Sequence, residues 1–559
     1  MTIVKGKTNQ QYDGHRILLV SFLCLFALCL LAQVNPTGRK PQGKTAKSKV
    51  YLLHSDVLKK SPKNPDPDAQ ILVGNVIFRH DSIYMYCDSA CFYEKSNSLE
   101  AYDNVRMEQG DTLALYGDYL FYDGNTQIAQ VRNHVRLENR NTTLLTDSLN
   151  YDRLENLGYY FDGGSMMDEE NVLTSDWGEY NISTKEAVFN YSVQLENPKF
   201  TLYSDTLRYS TISKIATIVG PTNIVSDQNH IYSELGHYNT QNGQAELLNR
   251  SVITNEGKIM IGDSLFYDRE KMYGEAFNNI EYTDTINKNV LTGNYGYYND
   301  STKYAFVTDK AVLTDYSQGD SLSLHADTLK MITFFADTDS MFREARAYFK
   351  VRIFRNDVQG VCDSLVFSSK DSCLIMYHEP VLWHEQQQLS GEEIRIYMND
   401  STIDWAHIQN QAFSVEKLDS AKYNQVSGKE IKAYFKGGEI RQVDVIGSVH
   451  SVYYYMDEDS TYVGMNKLEA STLNMFLENR KMKKISIYPK PVATFYPMLM
   501  IPEKDKKLTG FLWLDYLRPK DKYDIMEWKS RMAGDEQKKS SRSNKIPLPN
   551  QELFKKKTK

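Results

Sequence analysis

Residues Gly262 to Asp268 read Gly-Asp-Ser-Leu-Phe-Tyr-Asp. The first four letters are the signature of a class of serine esterases, and taken alone they would make Ser264 a nucleophile. The rest of the chain gives the heptapeptide a different reading. Segments of the same form begin at Asp118 (DYLFYD), Asp147 (DSLNYD), Asp176 (DWGEYN), Asp205 (DTLRYS), Glu234 (ELGHYN) and Asp263 (DSLFYD), each 29 residues after the last. Asp88 (DSACFY) precedes the series by 30 residues and Asn294 (NYGYYN) follows it by 31; the spacing then loosens through Asp327, Asp363, Glu392, Lys429 and Ser471. A fixed period of this length marks a stacked repeat architecture. The serine is not a fixed part of the unit, because Tyr119, Trp177, Thr206 and Leu235 take its place in other copies. Asp404-Trp405-Ala406-His407 matches the downstream Asp-x-x-His block of such esterases, but Ile408 stands where proline usually follows. No strand–helix alternation is present to build an α/β site. The chain therefore reads as a non-enzyme.

A second element recurs between the acidic segments: Gly74-Asn75-Val76-Ile77-Phe78, Asn104-Val105-Arg106-Met107 and Asn133-His134-Val135-Arg136-Leu137, with later copies at Asn223, Ser251 and Ala311. One unit is then two strands and two turns, and Gly220-Pro221 should bend the second strand of its unit because proline cannot donate within a ladder. Strict alternation puts Asp263, Leu265 and Tyr267 on one face and Ser264, Phe266 and Asp268 on the other. Where the leucine position is glycine (Gly178, Gly236, Gly296), the preceding residue is bulky (Trp177, Leu235, Tyr295). That pattern fits either volume compensation between stacked units or a bend at the glycine. A single unit cannot bury its apolar face, so stacking is required.

Composition agrees. With 39 Tyr and 23 Phe among 559 residues, the chain favours strands, and amphipathic helical periodicity is scarce. The expected fold is all-β: an elongated β-jelly-roll or solenoid of stacked antiparallel hairpins, regular over residues 50–300 and irregular over 301–500. Lys5, Lys7 and Arg16 precede the apolar run Ile17–Ala32, so residues 1–33 read as a signal peptide or an N-terminal membrane anchor. Residues 34–49 read as a basic linker, 501–537 as a C-terminal cap or docking segment, and 538–559 as a basic disordered tail. The formal net charge is −7 although both ends are basic, so the body is strongly acidic and nucleic acid is excluded as a partner. Past the apolar run, Cys87, Cys91, Cys362 and Cys373 read as unpaired small hydrophobes, with a Cys362–Cys373 bridge as the alternative. The acids Asp118, Asp147, Asp176 and Asp205 should stack ~10 Å apart, too far to share one Ca²⁺; a local role at a bend fits them better. No metal or cofactor is called for.

The paired elements resemble the OstA-like family, which includes the periplasmic LptA proteins and the amino-terminal domain of LptD. Gly117–Asp123 with Asn133–Leu137, Asp147–Asp152, Asp205–Tyr209 and Gly262–Asp268 carry the resemblance, which extends over roughly residues 50–495. It implies a β-jelly-roll groove that passes lipopolysaccharide across the periplasm with the acyl chains inside. Related jelly-roll proteins would join end to end by strand pairing, and membrane transport components would be further partners. The groove-lining candidates are Leu120, Tyr122, Leu149, Tyr151, Leu207, Tyr209, Leu265 and Tyr267. The competing readings are a structural or adhesive exported β-repeat protein, and an outer-membrane assembly factor that binds protein partners at its open strand ends.

Overall fold

A computed structural model describes residues 48–531 except 60–67, 227–228, 318, 337, 400–401, 438, 458, 460 and 479–480. The expected signal or anchor, nearly all of the basic linker and the basic tail lie outside the described residues. The fold is all-β: the described residues form 34 strands and four short 3-10 turns. No described helix is long and apolar enough to cross a membrane. The described residues fall into two compact units, residues 48–111 with 119–129 and residues 112–118 with 130–531. In the first, Ala69–His80, Ile83–Tyr93 and Ser98–Gln109 pair in succession, antiparallel. The short strands Tyr51–His54 and Val57–Lys59 cover the free edge of Ala69–His80. In the second, strands from Glu186–Asn197 to Val358–Ser368 each pair antiparallel with the next, the stacked-hairpin class that the repeat implies.

Each of these strands is bent near its middle. On alternate strands the bend is made by two consecutive residues with positive φ, such as Asn249 and Arg250 (φ 63° and 58°) or Asn278 and Asn279 (57° and 48°). The pairing register shifts there, as between Ile261 and Ser264. On Ile215–Val225 the bend falls at Gly220-Pro221, where Gly220 takes φ 105°. The sheet is thereby folded along a crease into two walls that face each other. A bulge of this kind moves the side-chain alternation by one. Gly262 and Leu265 are both buried inside while Asp263 and Ser264 are not, so the expectation that Asp263 shares a face with Leu265 and Tyr267 is corrected. Asp263 sits on the outside of the crease.

There the acid of five copies performs the same task. It accepts a hydrogen bond from a side chain at the crease of the following strand: Asn279 Nδ2 to Asp263 (2.6 Å), Ser192 Oγ to Asp176 (3.1 Å), Asn249 Nδ2 to Glu234 (3.1 Å), and Asn104 Nδ2 to Asp88 (2.7 Å) in the first unit. His134 Nδ1 lies 2.7 Å from Asp118 in the same relation. The residue before the acid points into the crease and must be small. A Cβ on Gly117 would lie 2.4 Å from Val131 Cγ1, and one on Gly293 would lie 2.4 Å from Val307 Cγ1. Ser175, Ser204 and Ser233 fit because each hydroxyl donates to the carbonyl two residues on, at 2.7–2.9 Å. Gly293→Val is therefore expected to destabilise by about 1–3 kcal/mol through overpacking. Ser264→Ala should stay within about 0.5 kcal/mol of the parent. Urea denaturation midpoints check both.

The glycines at the leucine position serve a different neighbour from the one their sequence context suggests. A Cβ on Gly178 would meet the Tyr160 ring at 2.5 Å. Tyr160 comes from the paired strand Leu157–Tyr160, so the space is filled from across the ladder rather than by Trp177. Leu235, which precedes Gly236, is exposed.

Residues 498–531 leave the repeat and run back across the outer face of the second unit. Lys467 pairs with Asp505 (2.8 Å). Gln425 donates to Lys506 O and accepts from Leu508 N, and Gln388 does the same with Leu512 O and Leu514 N. Arg518 Nε donates to Gln359 (2.6 Å), and the buried Arg352 donates to Leu517 O (3.1 Å). Apolar contacts accompany these polar ones: Leu514 and Leu517 pack with Val361, Val381 and Trp383, and Leu508 packs with Phe413, Val415 and Val452. The segment is a strap over outward-facing strand residues. Beneath it the inward residues form a separate core that includes Ile353, Cys362, Met376, Ile408 and Val445. Cys87, Cys91, Cys362 and Cys373 are all free thiols.

Candidate functional site

Facing walls enclose an interior, and the repeat supplies its rim. The tyrosine of each unit, at 122, 151, 180, 209, 238, 267 and 298, follows the crease by an odd number of places and so points inward near the free edge of one wall. The turns of the other wall provide its partners. In the first unit the Tyr122 hydroxyl lies 2.6 Å from Nδ1 of the buried His80. In the second, Tyr180 donates to Asn139 (3.2 Å), which also accepts from Lys185. Tyr209 donates to Asp168 (2.8 Å) and accepts from Asn171 (3.0 Å). The Lys214 ammonium reaches the same Asp168 carboxylate at 2.7 Å and Glu169 at 3.2 Å. Tyr238 packs edge-on against Phe200 with centroids 4.8 Å apart. Each contact joins the two walls, so this stretch of the mouth is latched shut. Its inward side chains, among them Leu149, Tyr151, Tyr160, Tyr180, Leu207 and Tyr209, have essentially no exposed surface.

The electrostatics of the strongest latch follow from its burial. Burial opposes the Lys214 charge, but its hydrogen bonds to Asp168 and Glu169 and their charges outweigh that and raise its pKa. Burial raises the Tyr209 pKa, and the hydrogen bond and charge of Asp168 raise it further. The fold thus holds an ammonium, a carboxylate and a neutral phenol together. Lys185 has no carboxylate partner at Asn139, and burial followed by the nearby charge of Arg140 lowers its pKa.

Beyond Tyr238 the latches stop. Tyr267 and Tyr298 are 41 % and 45 % exposed although they continue the inward row, and Met331, the next large residue in it, is 42 % exposed. Tyr298 donates to Asp300 in its own turn (2.5 Å), not across the mouth. The pairing order of this rim row is Ala245, Tyr267, Gly274, Tyr298, Ala305, Met331, Ala345. Large apolar or aromatic teeth alternate with small residues, which leaves slots between the teeth. The opposite wall presents Met260, Tyr282, Leu291 and Leu313, all only partly buried. The floor at the crease is closed by Leu265, Ala276, Ile280, Val307 and Ala311. From Lys258–Asp268 to Leu322–Phe334 this open stretch covers five strands, or about 20 Å at the usual strand spacing.

Of the eight residues singled out from the repeat, seven are sealed inside: Leu120 and Tyr122 in the first unit, and Leu149, Tyr151, Leu207, Tyr209 and Leu265 in the second. Leu265 closes the floor of the open stretch, and Tyr267 alone among them stands exposed on its rim. Met260, Tyr282, Leu291, Tyr298 and Met331 complete it and were not singled out. Tyr298 sits at the repeat position itself; Met260 and Leu291 lie on the same strands as the acidic segments but ahead of them, Tyr282 falls on the second element and Met331 in the loosened part of the series. The other chemical candidates occupy structural positions. Ser264 is a ladder residue opposite Leu248 and Phe277. Trp405 stacks on Tyr397 at 4.2 Å, and His407 Nε2 lies 3.1 Å from Glu430. Among the described residues no group of His, Cys, Asp and Glu could hold a metal ion.

In the second unit the creased β-repeat sheet thus has an apolar interior that is sealed along one stretch and open along another. The OstA-like protein family model matches residues 47–205 and 241–347, which include the whole open stretch and, of the latch residues, Asn139, Asp168, Tyr180 and Lys185. The chain belongs to the OstA-like family. No curated protein matches the sequence.

Proposed function

We propose that the protein is a non-enzymatic, exported lipopolysaccharide carrier that shields acyl chains in the open interior between Tyr267 and Met331 on their way to the outer membrane. One observation carries this reading: inward-facing apolar teeth that are left in contact with solvent. Large apolar surface in a concave site is costly to leave wet and is favourable to cover with hydrocarbon. Family membership and the apolar run at Ile17–Ala32 support export to the periplasm, with that run either removed or kept as an anchor. The acidic body keeps the phosphorylated head in solvent, so the recognised part is the acyl portion. Depletion of the protein in its native host should leave newly made lipopolysaccharide in the inner membrane. Unchanged delivery would favour a scaffold role and contradict the proposal.

Carboxylates placed on the teeth should abolish cargo binding without unfolding the sheet. Tyr298→Asp with Met331→Asp puts two charges where hydrocarbon must sit, and a charge costs several kcal/mol in such surroundings. A loss of capture of at least about a hundredfold, or some 2.8 kcal/mol, is expected. The thermal midpoint should change little because both positions face water in the free protein. Lipid-binding titration and a melting curve check the two halves of that statement.

Partners that add strands are part of the same proposal. Tyr51, Leu53, Val57 and Leu58 on the short first strands are exposed, as are Val492 and Phe495 on Val492–Pro497. Exposed apolar edge strands invite pairing, which suits a related jelly-roll protein at either end.

A further inference from the structure

We infer that lipid is confined to the unlatched stretch, and that Tyr180, Lys185, Tyr209 and Lys214 are the residues that set how far along the interior a lipid can reach. This rests on the carrier reading above but does not follow from it, since a groove could take acyl chains along its whole length. The latched stretch has no room for a guest. Tyr151, Tyr160, Tyr180 and Tyr209 fill it, and the Tyr160 hydroxyl is engaged by Ser175 at 2.6 Å. To admit an acyl chain there, the buried Lys214–Asp168 pair and the hydrogen bonds to Asn139, Asp168 and Asn171 would have to break. A buried carboxylate stripped of its cation resists that opening strongly. The turn residue that latches the mouth is Lys185 and, 29 residues later, Lys214; the next two places in that register are Gly243 and Met272, which carry no charge, and Lys303, at the place after those, pairs with Asp300 of its own turn (2.6 Å).

The open stretch also limits the cargo. A bilayer's hydrocarbon core of ~30 Å implies that one acyl chain reaches about 15 Å, which fits within the ~20 Å of open strands. One extended acyl chain can therefore lie along the crease between Tyr267 and Met331.

The test uses the full-length, unsubstituted protein and a lipid A analogue that carries a diazirine near an acyl terminus. After irradiation, adducts are mapped by peptide mass spectrometry. Adducts at Met260, Tyr267, Tyr282, Tyr298 or Met331, with none at Leu149, Tyr151, Tyr180, Leu207 or Tyr209, are the expected result. Adducts over both sets would overturn the confinement and leave the carrier reading standing. Absence of adducts from every inward position would overturn both. A variant combining Lys185→Met, Lys214→Met and Tyr209→Phe should extend the adducts towards Phe189 and Leu207. If that variant keeps its β circular dichroism spectrum and an unchanged map, the latches do not set the boundary; if it does not fold, the unsubstituted map decides alone.

Discussion

Replacing Lys214 by methionine is expected to lower the stability of the second unit by about 3–5 kcal/mol, because it leaves the Asp168 carboxylate buried without its cation. Asp168 has almost no exposed surface and Lys214 little more, so solvent screens the pair weakly. Adding Asp168→Asn to Lys214→Met should recover much of the loss: an amide oxygen still accepts from Tyr209, and no charge remains to be compensated. The pH dependence has a definite sign. The folded state raises the Lys214 pKa, so its contribution is fully present below the unfolded-chain value of about 10.4 and is lost as pH climbs through the higher folded value. Tyr209, whose pKa is also raised, acts in the same direction because the fold holds the neutral phenol. The parent protein should thus lose stability above about pH 10. Lys214→Met should show a shallower alkaline decline. Denaturant midpoints at pH 8, 10 and 11 read both effects.

Trp383→Ala should be comparably severe through a different mechanism. The indole is fully buried between the strand residues Val361 and Val381 and the strap residues Leu514 and Leu517. Removal of a large buried aromatic costs about 3–5 kcal/mol through lost transfer energy and the cavity left behind. The indole N–H also donates to Gln388 Oε1 (3.3 Å), the atom that accepts from Leu514 N (2.8 Å). The strap should therefore loosen first, and trypsin should cut at Lys520 and Lys522 in the variant well before it cuts the parent. Trp405→Ala supplies the contrast. That ring stacks on Tyr397 and lies near Tyr434 on the outside of the sheet, and its loss should leave the strap protected.

What was readable in advance divides along physical lines. A 29-residue period and a wealth of tyrosine are local signals, and they identify the all-β stacked-hairpin fold and the inward row. The bend was not readable by counting in twos. Gly262-Asp263 inserts a one-place shift, and only pairing with Asn278 and Asn279 on the next strand reveals it. The latches were hidden because their partners belong to the opposite wall: Asn139 precedes Tyr180 by 41 residues and Asp168 precedes Tyr209 by 41. Recurrence of lysine at 185 and 214 was the available signal, since a charge repeated in register beside a buried row asks for a counter-charge. The strap stood outside the repeat, so Phe511 to Trp528 showed only its apolar content. Its polar anchors Gln359, Gln388 and Gln425 look like ordinary surface residues until a backbone lies across them.

The difference between sealed and open stretches likewise depends on neighbours rather than on the motif. Tyr209 and Tyr267 occupy the same place in two copies of the repeat that share its Asp-x-Leu-x-Tyr frame. One meets Asp168, Asn171 and Lys214; the other meets solvent. Ser264, three places before Tyr267, is an interchangeable strand residue, so the segment that opens like an esterase motif ends in a tooth of the open interior.

Site-specific photo-crosslinking in living cells tests the central claim most directly. A photoreactive amino acid at Tyr298, on the inward row, should capture lipopolysaccharide, while the same group at Tyr295, which lies on the outer face against Phe277, should not. Capture of lipopolysaccharide at neither position, or equally at both, would contradict a carrier that holds acyl chains within the creased sheet.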